Sequence, residues 1–258
     1  MSNLSTIERR REIVNQASNN GRVLVDALAE QYKVSTVTIR NDLNHMDRNG
    51  VLVRTRGGAI ASTRLIRELS VQERYSEHRL AKQRLGLAVA DLLTDGEAVI
   101  LDSGTTTEEV AQCLSAFKDL VVITNGLNVA SALADLEDIE VRITGGTLRR
   151  KTMSFYGPLA EDSLRQINVS KTILGADGFD LKSGVTTHFE PEAALNRMMC
   201  DVANDVIVVT DSSKADRQGL HTVVALTGIS TFVTDSGLPD SYAQELERLG
   251  VDLRIVDI

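Results

Sequence analysis

The sequence predicts an α/β protein built from an N-terminal winged helix-turn-helix and a larger C-terminal parallel α/β domain. Three observations carry this prediction. Residues up to about 60 read as three short helices followed by an alternating segment with a Gly-Gly turn, and from Glu97 onward seven short apolar runs recur between helical patterns. The chain, at 258 residues, also exceeds a typical single domain. The boundaries that follow are a winged module at 1–62, a linker at 63–84 and an α/β domain at 85–258.

Within the winged module, Ile7, Ile13, Val14 and Ala17 among charges predict an amphipathic helix from Ser5 to Ser18, ended by Asn19-Asn20-Gly21. A second helix is expected over Val25–Tyr32. After a short turn, Ser35 can cap a third helix that reaches Met46 or Asp47, with Gly50 as its stop. Two helices joined by a tight turn are the DNA-reading arrangement. On the third helix, Ile39, Leu43 and Met46 share one face and pack inward with Val34 and Ala29. Val37, Arg40, Asn41 and Asn44 face the other way, offering a methyl-bearing surface, a forked cation and two amides to base edges. Ser35, Thr36 and Thr38 sit where hydroxyls and backbone N–H groups meet phosphates. The segment VLVRTRGGA, from Val51 to Ala59, reads as a wing turning at Gly57-Gly58 and carrying Arg54 and Arg56 on one side. A three-helix unit also serves as a protein-interaction module, but the basic wing and the open outward face favour double-stranded DNA.

Charge supports the division. Residues 1–62 hold nine Lys/Arg against six Asp/Glu, or +3, so the other 196 residues contribute -11 to the total of -8. A basic module that touches DNA and an acidic body that phosphates repel fit this asymmetry. Residues 63–93 are charged and Pro-free, with Leu80, Leu85, Val89 and Leu92 at helical spacing, so a linker running into a helix is expected, either solvated or pairing subunits.

The runs AVILD, LVVITN, VRITGG, TILGAD, VIVVTDSSK, TFVTD and LRIVD, between 98 and 257, predict parallel strands covered on both faces by helices. Ligands on such sheets bind beyond the C-terminal strand ends, which selects the residues to examine. The first run ends in Asp102, Ser103, Gly104, Thr105, Thr106 and Thr107, where hydroxyls and free helix N–H groups suit a phosphate, although a Ser/Thr run also simply caps a helix. No GxxxxGK[ST] pattern occurs, so this is not a nucleoside-triphosphate loop. Other strand ends add Thr124 and Asn125, Gly145 and Gly146 with Arg149 and Arg150, then Asp177, and Lys214. Arg150 or Lys214 would hold a phosphate, while Asp177, Asn125 and carboxylates would hold sugar hydroxyls. His188, Glu190 and Glu192 lie on a loop entering a helix. An acid/base pair or half a metal site is conceivable there, but ligand positioning or helix capping is the preferred reading because no matched catalytic partner is found.

Composition excludes other classes. With 42% hydrophobic and 25% charged residues, the chain is neither disordered nor membrane-spanning, and MSNLSTIERRREI lacks a signal-like apolar stretch, so a cytoplasmic location is expected. Cys113 and Cys200 show no disulfide or zinc pattern. No metal, cofactor or catalytic residue is assigned.

The motifs themselves resemble the DeoR family of bacterial sugar-responsive transcription regulators. VSTVTIRNDLNHM and RTRGGA match its VSxxTIRRDLxxL and RxHGGA, with Asn41 for an arginine and Arg56 for a histidine. ILDSGTTT, TNGLNVA, TGGTLRR, SFYGPLAE, LGADGFD and VVTDSSK look like its effector domain, which implies a ribose-5-phosphate-isomerase-like fold. SFYG with THFEPEAALNRMMC looks most like the branch regulating N-acetylgalactosamine and related amino-sugar catabolism. A sugar-phosphate isomerase-like enzyme with an appended DNA-binding module is the alternative. Against it, the isomerases' catalytic Asp, Lys and Glu correspond to Leu174, Phe189 and Met198, which cannot move protons. The resemblance thus implies a homo-oligomeric repressor, a dimer or tetramer associated with the bacterial nucleoid. It would bind operator DNA, and a phosphorylated sugar or amino sugar would release it.

Overall fold

A computed structural model describes residues 6–48, 52–61 and 68–258. The chain divides into two compact units, Met1–Arg67 and Glu68–Ile258.

In the first unit the order is α1 (Thr6–Asn20), β1 (Arg22–Leu24), α2 (Val25–Tyr32), α3 (Thr36–Arg48), β2 (Leu52–Thr55) and β3 (Gly58–Ala61), with the three strands in sheet order β1-β3-β2. Ile13, Leu28, Ile39, Leu43 and Leu52 form a closed core, with Val34 and Ala29 packed against it, as the helical spacing requires. The Ser35 hydroxyl accepts from the Thr38 N–H at 3.0 Å and starts α3, and Lys33 in left-handed conformation closes α2. Position 50, the expected stop of α3, lies outside the described residues, as do Ser5 and Val51. The wing differs in register from the expectation. Its turn is Arg56-Gly57, and Gly58 already pairs with Thr55 as the first residue of β3. The cause is a third strand too short to read from pattern: a Cβ on Gly58 would sit 2.0 Å from the Val23 carbonyl oxygen, so only glycine lets β3 lie beside β1.

The second unit opens with α4 (Val71–Tyr75) and α5 (Arg79–Ala90), followed by β4 (Ala98–Leu101), α6 (Thr105–Gln112), β5 (Leu120–Thr124), α7 (Leu127–Leu133) and β6 (Ile139–Ile143). A hairpin of β7 (Thr147–Arg149) and β8 (Ser154–Tyr156) leads to α8 (Pro158–Leu164) and β9 (Val169–Leu174). After β10 (Gly178–Asp180) and β11 (Gly184–Thr187) come α9 (Glu190–Asp201), β12 (Ala203–Val209), β13 (His221–Val224), β14 (Thr231–Asp235), α10 (Asp240–Arg248) and β15 (Asp252–Val256). All seven apolar runs become strands of one parallel sheet, ordered β15-β14-β12-β9-β4-β5-β6. Both faces are covered. Val99 and Leu101 pack with α5, α6 and α7, whereas Ile100 and Leu174 pack with α8, α9 and α10. This double burial is why the runs are continuously apolar.

Residues 68–84, assigned to the linker from sequence, belong to the larger unit as α4 and the start of α5. Their charges hide the fact because they are spent on internal pairs: the Ser70 and Glu73 side chains form a capping box, and Lys82 is buried. Among the described residues, no helix is long and apolar enough to cross a membrane.

Candidate functional site

On α3, Val37, Arg40, Asn41 and Asn44 are exposed on the side opposite Ile39 and Leu43. Val37, at 59% exposure, is a large apolar group that the unit's own packing leaves in water. Ser35 is exposed, and Thr36 and Thr38 are half-buried at the helix start. Asp42 holds the helix to α1. It receives Arg9 at 2.8 Å and Arg10 at 2.7 Å, and both Asp42 and Arg9 are buried. The two wing arginines differ in setting. Arg54 is braced across the hairpin by donating to the Gly58 carbonyl at 2.7 Å, while Arg56 is exposed at the wing tip.

The strands of the larger sheet run outward in both directions from the β4/β9 pair. The C-terminal ends of those two strands therefore border the crevice where connections diverge, and there a cleft opens with an empty volume of 710 Å³, part of it open to solvent. Of the strand-end residues singled out from sequence, it gathers Asp102, Ser103, Gly104, Thr105, Thr106, Asp177, Glu192 and Lys214. Arg74, Lys82, Thr152, Thr186, Thr187 and Asn196 join them.

Charges in the cleft are unequally matched. Arg74 pairs with Asp177 at 3.0 Å and Thr187 donates to the same carboxylate at 2.8 Å. Burial pushes the Asp177 pKa up, but Arg74, His188, the Thr187 hydroxyl and Lys214 outweigh it and hold the carboxyl below its ordinary range. Glu192 is buried on α9 and accepts from the Thr152 hydroxyl at 2.6 Å, from Arg149 at 3.0 Å and from the Ser154 hydroxyl. Among the described residues the Asp102 carboxylate accepts hydrogen bonds only from Ser103, and burial pushes its pKa up to about 6, with Glu192 and Asp177 adding to the rise. Lys82 donates to the Arg74 carbonyl at 2.5 Å; burial, then the neighbouring Lys214, brings its pKa down to about 8. Asn196 is 7% exposed, and its side-chain oxygen has no hydrogen-bond partner among the described residues. The cleft thus offers ammonium groups, hydroxyls, carboxylates and one amide oxygen lacking a donor, a combination suited to a small polar anion that also carries hydroxyls.

The remaining sequence candidates lie elsewhere. Thr107 is fully buried and donates to the carbonyls of Asp102 and Gly104, so it shapes the loop from behind. Thr124 accepts from the Gly126 N–H and Asn125 is buried, both outside the cleft lining. Gly145 and Gly146 form the turn into β7. Gly146 has φ +100, and a Cβ there would lie 2.5 Å from the Tyr156 carbonyl oxygen, a structural reason for glycine. Arg150 is exposed in the next turn, whereas Arg149 turns inward, spans Glu68 and Glu192, and stacks 4.1 Å over the Phe189 ring. His188 is half-buried beside Asp177 with its pKa lowered by burial, and Glu190 is exposed and pairs with Arg197 at 3.4 Å. The residues missed had weak signals. Asn196 lies one helical turn after the candidate Glu192, so a polar pair on the buried face of α9 could have been noticed. Arg74 and Lys82 precede the first strand and fall outside any strand-end rule.

Two family models match the chain: the DeoR-like helix-turn-helix domain over residues 9–64 and the DeoR C terminal sensor domain over residues 77–236. A relative named for transcriptional repression of the aga operon in Escherichia coli O157:H7 is 43% identical, covering 97% of this chain and 94% of its own. The chain belongs to the DeoR family. The HTH-type transcriptional regulator GlpR of Haloferax volcanii is 34% identical, with 95% of each chain covered. Among solved structures, ribose 5-phosphate isomerase A from Neisseria gonorrhoeae matches 52% of each chain at 12% identity and a TM-score of 0.39.

This DeoR-family chain is therefore a DNA-binding transcription regulator with a small-molecule sensor domain. The three positions compared from sequence with the isomerases' catalytic groups lie in apolar settings. Leu174 is core, Phe189 packs edge-on against Tyr156 at 5.1 Å, and Met198 packs against the core.

Proposed function

We propose that this DeoR-family regulator represses a sugar-catabolic operon and leaves its operator when a phosphorylated sugar or amino sugar fills the cleft at the β4/β9 strand ends. The observation that carries this reading is the convergence of Lys82, Lys214 and the Ser103–Thr106 loop with Asp102, Asp177, Glu192 and Asn196 in one cleft. Ammonium groups, hydroxyls and helix N–H groups suit the phosphate, and the carboxylates and the Asn196 oxygen suit sugar hydroxyls or an amine. The name of the aga operon relative and the SFYG and THFEPEAALNRMMC motifs support trying amino-sugar phosphates first among candidates. On the DNA side, Val37, Arg40, Asn41 and Asn44 read bases, Ser35, Thr36 and Thr38 set register on phosphates, and Arg56 reaches the backbone from the wing. A homo-oligomer presents two or more such modules to repeated half-sites.

The test is fluorescence anisotropy on duplex DNA from upstream of the protein's own gene, titrated with phosphorylated hexoses and hexosamines. Release by one sugar phosphate, at concentrations where its unphosphorylated parent does nothing, is expected. Tight DNA binding that no member of the panel alters would reject the cleft assignment.

A further inference from the structure

The segment that follows the DNA-binding unit in sequence begins at Glu68 and is docked beside the cleft by a set of polar ties. Glu68 receives both guanidinium nitrogens of Arg149, one at 2.7 Å, and pairs with Lys151 at 3.0 Å. The Val71 N–H donates to the Lys151 carbonyl at 2.8 Å. Arg74 meets Asp177, its carbonyl accepts from Lys82, and the Tyr75 hydroxyl donates to Glu108 at 2.6 Å. Apolar burial adds little, since Val71 is the one buried residue of α4 and Tyr75 is exposed. A segment held by ion pairs and hydrogen bonds, with little apolar surface behind them, docks reversibly, because competing polar groups can replace its partners.

Two of those ties, Arg74 to Asp177 and Lys82 to the Arg74 carbonyl, end on groups that line the cleft, and a third reaches it through Arg149. Arg74 itself lines it, so its guanidinium occupies space that a ligand would need, and it holds the carboxylate a sugar would use. At the other end Arg149 bridges Glu68 to Glu192, another lining carboxylate. We propose that residues 68–77 form a polar latch in which Arg74 on Asp177 competes with the effector, so that filling the cleft undocks the segment leading to the DNA-binding module. The proposal rests on the effector reading above. Because the effector releases DNA in that reading, the docked latch is the DNA-binding state. A ligand shifts such an equilibrium only by its differential affinity for the two states, and direct competition for Asp177 supplies that difference.

The latch can be opened without any ligand. Arg74→Met keeps the stem and removes the fork, and Glu68→Gln weakens the opposite anchor, far from Asp177 in the chain. With the upstream duplex and no sugar present, both variants are expected to bind DNA about tenfold more weakly than wild type, with unchanged circular dichroism. In wild type, amide exchange of the 68–77 segment should accelerate when the DNA-releasing sugar phosphate of the panel is added. Wild-type DNA affinity in both variants overturns the latch. So does an Arg74→Met protein that keeps its DNA affinity and loses only its sugar response, since Arg74 is then a ligand contact. If Arg74→Met does not fold, Glu68→Gln and the exchange measurement decide. Should no sugar phosphate release wild-type DNA, the effector reading fails, while the ligand-free affinities still decide the latch.

Discussion

Asp102 sits buried at the end of β4 with no ion pair among the described residues, and burial raises its pKa from 3.8 to about 6. A carboxyl whose folded pKa lies above its unfolded value binds protons more tightly in the native state. Its burial therefore costs nothing below about pH 4, and the cost grows until it is complete above about pH 6. A rise of this size corresponds to about 3 kcal/mol on the scale of 1.36 kcal/mol per unit. Asp102→Asn should accordingly melt several degrees above wild type at pH 8, with the gain shrinking toward pH 4.5. An equal shift at both pH values would show that ionisation of Asp102 is not the source. A group that burdens stability at neutral pH and points into the cleft is suited to meeting a ligand's donors. Position at a strand end made Asp102, Asp177 and Lys214 legible from sequence. Arg74 was not legible, because nothing in a charged stretch tells which cation folds back onto a distant carboxylate.

At the scale of elements, periodicity was the dependable guide. Continuous apolar runs mark every strand of the parallel sheet, and the 3, 4, 7 spacing marks the inner face of α3. The short antiparallel pieces β1, β7, β8, β10, β11 and β13 went unread, since three or four residues carry too little alternation, and β1 in turn shifted the wing. Contacts between elements were equally hidden. The Arg9–Asp42–Arg10 cluster ties α1 to α3, joining residues more than thirty positions apart. Removing one partner of a buried pair leaves the other charge uncompensated, at a cost of about 3–5 kcal/mol. Asp42→Ala is therefore expected to unfold the small unit selectively. Calorimetry should show an early transition while that of the larger unit stays in place, and DNA affinity should fall with it. A single unshifted transition would mean that the cluster contributes little.

Across the whole molecule, the +3 of residues 1–62 against the acidic remainder separates the two tasks that regulation must join. Arg40 is exposed on α3, far in sequence from every residue lining the cleft, so Arg40→Ala should abolish operator binding and leave sugar-phosphate-induced thermal stabilisation intact. Loss of both would refute the division of labour. The joined behaviour has its own constraint, because a coupling free energy is reciprocal: if a sugar phosphate weakens DNA binding tenfold, DNA must weaken sugar-phosphate binding tenfold, about 1.4 kcal/mol in either direction. Titrating the sugar phosphate calorimetrically into wild type, with and without saturating operator, measures the second leg. Arg40→Ala serves as the control, since DNA added at the same concentration should leave its sugar affinity unchanged. Equal sugar affinities for free and DNA-bound wild type would rule out coupling through the folded protein, and release would then have to come from competition at the DNA surface itself.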